Sequence, residues 1–319
     1  MKILPAITES IIKQYREKYI IPKDSSSRYN YSVINDFGLA YDLIKEALLS
    51  ASPCMISRFG SNELGATLNF RKGHPLAFLR KTFPFWVSKQ SKERMLLHAG
   101  FFPNDNKSLS QFSDLIIDIK NDIDILGTWI GSESILPFNN NCKFVSLINL
   151  EPFWNINPWT IALKGKKVLV VHPFADSILR QYSKRELLFD NKDILPQFKT
   201  LQVIKAVQSV GGEKNNFSNW FEALHYMESQ IDTVDYEIAL IGCGAYGMPL
   251  AAHCKRMGKK AVHLGGVLQM LFGIIGKRWE DPNHDGDYKY TALFNENWIR
   301  PSDAETPSSA NIVEEACYW

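Results

Sequence analysis

Four short stretches hold residues whose types and spacing could do chemistry. In RFGSNELG, residues 58–65, a guanidinium and a carboxylate share one tight turn. Arg58 could grip a diphosphate in a bidentate fork, and Glu63 could take a proton or bind a metal; the plainer alternative is an Arg–Glu pair that only locks the turn. Gly60 and Ser61 lie between them in the same turn. In HPF, residues 172–174, His172 is followed four positions later by Asp176. An imidazole there could hydrogen-bond a phosphate or a sugar hydroxyl, or move a proton near neutral pH, or be a satisfied structural donor. In GCGAYG, residues 242–247, Gly242, Gly244 and Gly247 are spaced as GxGxxG around Tyr246, and the downstream HLGG holds His263 and Gly265. Lys277 and Arg278 follow as adjacent cations that could clamp phosphates near the glycine turn or simply end a helix in solvent.

The elements that must position these groups read as alternating apolar strands and helices. Strands are predicted at 54–57, 122–129, 143–147, 166–172, 201–207, 238–242 and 260–264. Helices are predicted at 11–19, 37–50, 217–231 (begun by a Ser cap) and 249–257, with further helices and loops over 64–121 and a helix plus loop over 173–200. The expected fold class is therefore α/β, Rossmann-like, with a mostly parallel sheet flanked by helices, in one domain over 1–319. A helical segment over 1–50 and an irregular tail over 279–319 would complete it. The aromatic stripe Trp220, Phe221 and Tyr226 has helical spacing and is expected in the core; the tail could cover the cleft or wrap the domain. In such sheets ligands sit beyond the carboxyl ends of the strands. That rule brings 58–63, 129–133, 172–176, 242–247 and 263–266 to one cleft.

Bulk properties exclude several classes. The chain has 319 residues, 45% hydrophobic and 22% charged, so it can bury a large core. Its 36 basic and 34 acidic residues give a net charge of +2, with no global field to recruit nucleic acid, and no nucleic-acid partner is expected. The longest apolar run, VLQMLFGIIG at 267–276, is about half a bilayer span, which allows peripheral membrane contact at most. The first twenty residues are interrupted by charge before any signal-like run, so the expected location is the cytoplasm or the inner face of the membrane. Five scattered cysteines without a CxxC pair imply reduced thiols and no zinc site. Neither GxSxG nor GxxxxGK[ST] occurs.

The GxGxxG lies between a predicted strand and a helix with Pro249 in its first turn, a grammar suited to some phosphate. A dinucleotide site would need an acid about 20 residues on, at the end of the next strand. None occurs after Leu264 until Glu280, which argues against a nicotinamide oxidoreductase.

RFGSNELG taken together with ALIGCGAYGMPLAAHCKRMGKKAVHLGG (239–266) resembles the GT-D-type glycosyltransferases, bacterial enzymes of Rossmann-like fold. The resemblance covers about half the chain. It implies transfer of a sugar from an activated donor, a nucleotide diphosphate sugar, to a glycan or lipid-linked acceptor in surface polysaccharide biosynthesis. Glu63 matches the second carboxylate of the family's turn, and displacement at the anomeric carbon needs a base, for which Glu63 is the candidate and Asp176 its rival. Donor contacts would come from Arg58, Gly60, Ser61, His172, Gly242, Gly244, Tyr246, Gly247, His263, Gly265, Lys277 and Arg278. The family carries Asp-x-Glu in its first turn, whereas this chain has Ser61-Asn62-Glu63. A Mn or Mg ion held through Glu63 would therefore lack one carboxylate unless Asp176 or Glu133 replaced it, or cations took over the diphosphate. The other readings are a phosphoribosyl diphosphate-using transferase, a non-catalytic sugar-nucleotide-binding module and the NAD-dependent oxidoreductase.

Overall fold

The computed structural model describes residues 31–70, 89–281, 288–313 and 316–319. Seven strands form one parallel sheet: β1 (Cys54–Arg58), β2 (Ile125–Thr128), β3 (Lys143–Ser146), β4 (Lys167–His172), β5 (Thr200–Lys205), β6 (Ile238–Ile241) and β7 (Lys260–His263). Their order is β3-β2-β1-β7-β6-β4-β5, with every pair parallel. The chain builds β1, β2 and β3 outward toward one edge and β4 and β5 toward the other. It then inserts β6 and β7 between the halves, so the loops after β2, β1, β7, β6 and β4 emerge side by side.

Successive strand residues face opposite layers, as the pleat requires. Met55, Leu169, Val171, Ala239, Ile241 and Ala261 join the core on one face, and Ile56, Val168, Val170, Ile238, Leu240 and Val262 join that on the other. Parallel central strands are covered on both sides, which is why KVLVVH is an almost unbroken apolar run. The first face is covered by α2 (Ser61–Phe70), α3 (Lys89–Ala99), α4 (Asn106–Ile119), α6 (Trp220–Asp232) and α7 (Gly247–Arg256). The second carries α1 (Phe37–Leu49), α5 (Ala175–Tyr182), the short α8 (Leu268–Leu271) and single turns from the tail.

Differences from the predicted elements have local causes. The segment over 122–129 starts as a 3-10 turn, Lys120–Asp122, and only Ile125–Thr128 pairs in the sheet. The helix expected at 217–231 begins at Trp220, because the Asn219 side chain, rather than a serine, accepts from Glu222 N at 3.0 Å. Of the aromatic stripe, Trp220 is fully buried but Tyr226 is exposed. The helix predicted at 11–19 lies outside the described residues. No helix among the described residues is long and apolar enough to cross a membrane.

Candidate functional site

All five strand-end segments contribute to one cavity of about 190 Å³ at the carboxyl edge of the sheet. The β1 turn supplies Arg58, Gly60, Ser61, Asn62 and Glu63; β2 supplies Trp129; β4 supplies His172; β6 supplies Gly242, Cys243, Gly244 and Tyr246; β7 supplies His263, Gly265 and Gly266. Arg278 comes from the tail side.

Arg58 is half-buried at the end of β1, and its guanidinium lies 5.2 Å from the Trp129 ring centre. Trp129 is itself fixed, its indole N–H donating to Phe59 O at 2.9 Å. Burial lowers the Arg58 pKa and the nearby Arg278 lowers it further, while Glu63 and Tyr318 act in the opposite sense. Two guanidinium groups thus repel one another across one small cavity. Glu63 folds back over Gly60: a Cβ added to Gly60 would lie 1.9 Å from its Oε2. Only glycine leaves room there for the carboxylate.

The two buried histidines have different surroundings. Phe174 N donates to His172 Nδ1 at 3.0 Å, which places the proton of the neutral ring on Nε2. Burial depresses His172 to about 3, so it is a neutral donor at working pH and not a proton shuttle. His263 also falls to about 3 through burial and the charge of Arg58. Its Nδ1 lies 3.1 Å from Ser57 Oγ, and a Cβ on Gly247 would meet its Nε2 at 2.3 Å. Gly247 therefore serves the packing of His263 and does not line the cavity. His263 also occupies the strand end where a dinucleotide-binding unit would carry its acid.

Tyr246 lines the cavity but is buried, stacked on Trp220 with centroids 4.9 Å apart and its hydroxyl 3.1 Å from Ser209 Oγ. Asp176 does not reach the cavity. It lies exposed in the first turn of α5, while the buried Ser177 takes the inner face of that turn. The helix start there is occupied by Glu305, whose carboxylate accepts from Ser177 N at 3.0 Å and from the Ser177 hydroxyl. The role of rival base for Asp176 is corrected accordingly. Lys277 is exposed and borders a second cavity instead of the first.

Several lining residues had no signal at sequence level. The tail lies over the cleft: Tyr318 and Trp319 line it, anchored by Gln269 Nε2 donating to Tyr318 O (3.0 Å) and Lys277 N donating to Trp319 O (3.2 Å). Arg278 sits 4.8 Å from the Tyr318 ring centre. His98 enters from α3 and Gln208 and Ser209 from the loop after β5, a strand end that the carboxyl-edge rule itself indicates. His98 Nδ1 and Gln269 Oε1 are buried without a hydrogen-bond partner among the described residues.

The metal implied by the family resemblance finds no matching donor set. Among the described residues no three His, Cys, Asp or Glu side chains come together as an ion site. Glu133 is committed elsewhere: Thr128 Oγ1 donates to its Oε2 and Ile130 N to its Oε1 at 3.3 Å.

Glu133 is fully buried, and burial raises its pKa to about 7 from 4.5, against the opposing pull of Thr128, the 129–130 backbone and Arg58. Between those two values the folded state binds more protons than the unfolded chain, so stability falls as pH rises through that window and is level above it. Glu133→Gln should remove this loss, making the variant more stable than the parent at pH 8 by on the order of 3 kcal/mol and closing the gap near pH 4.5. Urea melts of both proteins at the two pH values check this.

No family model, curated protein or solved structure matches the chain.

Proposed function

We infer that this protein is a glycosyltransferase that uses an activated sugar with a diphosphate leaving group. The observation that carries this reading is the pair of half-buried guanidinium groups, Arg58 and Arg278, lining one cavity at the carboxyl edge, where Arg278 opposes the Arg58 charge against the larger pull of Glu63. A diphosphate between them would turn that repulsion into two charge-assisted contacts. His172 Nε2–H adds a neutral donor, and the glycine turn at 242–244 brings backbone to the same wall. The cavity suits the diphosphate and one adjoining ring, so part of a nucleotide sugar stays outside it.

In this reading the acceptor hydroxyl gives its proton to the Glu63 carboxylate as its oxygen bonds to the anomeric carbon. The bond from that carbon to the donor phosphate breaks, and the departing diphosphate keeps the electron pair. Arg58 and Arg278 stabilise the charge that develops on it, the usual largest electrostatic contribution to such a step. The acceptor is a glycan or a lipid-linked precursor, and the setting is the cytoplasm or the inner membrane face.

A thermal-shift panel of UDP, GDP, CDP, phosphoribosyl diphosphate and NAD, each with and without manganese, tests the proposal. A ligand at 100 times its Kd stabilises by about 2.7 kcal/mol, enough for a clear midpoint shift. Stabilisation by one nucleoside diphosphate is expected. A response to phosphoribosyl diphosphate alone or to NAD alone would replace the reading with the corresponding enzyme class. Binding of a sugar nucleotide with no turnover would leave a binding module.

A further inference from the structure

A second cavity, of about 590 Å³, lies against the first. The two share Arg58, Trp129, Gly266, Arg278 and Tyr318 as a common wall. Its volume falls within the roughly 300–1,000 Å³ usual for small-molecule sites. Its apolar lining comes from Leu147, Leu150, Leu264, Val267 and Trp279, three of them fully or almost fully buried. Lys277 lines it together with the two shared arginines. Two carboxylates also line it. Glu151 is taken up internally, accepting from Tyr290 OH at 3.0 and 2.9 Å and from Trp154 Nε1 at 2.9 Å, and Asp281 is exposed.

The wall has an unusual construction. The Arg278 guanidinium lies on the Tyr318 ring, its Nη2 is 3.3 Å from Cys317 Sγ, and its backbone N–H donates to Cys317 O at 3.0 Å. A Cβ on Gly266 would lie 2.3 Å from Tyr318 Cε1, so the ring is pressed against bare backbone. Arg278 is thus held where it borders both cavities, while its neighbour Lys277 borders only the second. A single diphosphate clamp would need both cations to face one cavity, and they do not.

We propose that the second cavity is a separate site for a second substrate, an anionic amphiphile whose phosphate meets Lys277 and whose apolar part lies along the partly exposed Leu147 and Val267. The assignment rests on the transferase reading for its role as acceptor site, with the shared wall placing the two substrates side by side. As a binding site it stands on its own lining.

Octyl phosphate, below its micelle concentration, is the probe, with affinity read by titration calorimetry. It should bind without nucleotide, and a stabilising nucleoside diphosphate should change its affinity by less than about threefold. Lys277→Glu should weaken octyl phosphate by about tenfold, the scale of one hydrogen bond to a charged group, and leave nucleoside diphosphate affinity within about twofold. Because Lys277 is exposed, this variant should fold. Val267→Trp, which fills the cavity, should abolish octyl phosphate binding; if it fails to fold, Lys277→Glu decides alone. Competition between octyl phosphate and the nucleotide, or unchanged affinity in Lys277→Glu, overturns the proposal. Absence of any nucleoside diphosphate binding overturns the transferase reading instead, since the octyl phosphate arm runs without nucleotide.

Discussion

Replacing Arg58 by alanine should weaken the stabilising nucleoside diphosphate by about 100-fold, about 2.8 kcal/mol, and leave the folded state nearly as stable as before. The two halves of that expectation have one origin. Arg58 is held at the end of β1 over Trp129, where burial disfavours its charge and the opposing charge of Arg278 offsets part of the compensation that Glu63 supplies. Removing it relieves repulsion in the free protein and eliminates a charge-assisted fork in the complex. Arg58→Lys should recover only part of the loss, because an ammonium is a point charge and neither forks onto two phosphate oxygens nor lies flat on the indole. Calorimetric titration of the three proteins, with melts beside it, separates this from general damage. Equal nucleotide affinity in the alanine variant would remove Arg58 from the donor site and with it the main support for the proposed chemistry.

The cleft was legible where chemistry sits at strand ends. Apolar runs such as KVLVVH and IALI announce central strands, and in a parallel sheet each must release its chain at the same edge. Locating Arg58, His172, Gly242 and His263 at one edge needed nothing more. Their roles were less legible, because role depends on neighbours distant in sequence. His172 resembles a proton shuttle until Phe174 N is seen to donate to it, and Gly247 resembles a phosphate-turn glycine until His263 fills the space over it. Asp176 missed the site through a difference of one helix position: the inward place in that turn belongs to Ser177, where Glu305 caps it from 128 residues away. Tyr318 and Trp319 carry no periodicity that could place them. They reach the cleft because the tail crosses back over α8 and pairs with the backbone of Lys277 and Arg278. Side chains that enter by such long-range closure leave no local pattern.

Gly242→Ala should produce the largest loss of stability among single-atom-scale changes near the site, about 3 kcal/mol, which corresponds to a midpoint fall on the order of 4 to 5 °C. The added Cβ would stand 2.5 Å from Gly265 O and 3.0 Å from both His172 Cδ2 and Leu268 Cβ. Its nearest neighbour is backbone, which cannot turn aside as a side chain can. Gly242 is pinned by its own N–H donating to Val171 O at 3.0 Å, and the facing chain by Leu264 N donating to Ile241 O at 2.9 Å. Relief must therefore come from separating β6 from β7 or from displacing the 265 turn, where Gly265 already sits at φ 68. Either movement also disturbs His172 and the shared wall, so nucleotide binding should fall together with stability. Gly65 supplies the contrast within the same experiment: it lies inside α2 with nothing among the described residues within 4 Å of an added Cβ, and alanine there should stabilise by about 0.5–1 kcal/mol. Opposite signs for the two substitutions would show that close approach of β6 and β7 makes a glycine necessary at the first position of the GxGxxG. Equal tolerance of alanine at both sites would mean that this contact is not made in solution, and the cleft built upon it would have to be redrawn.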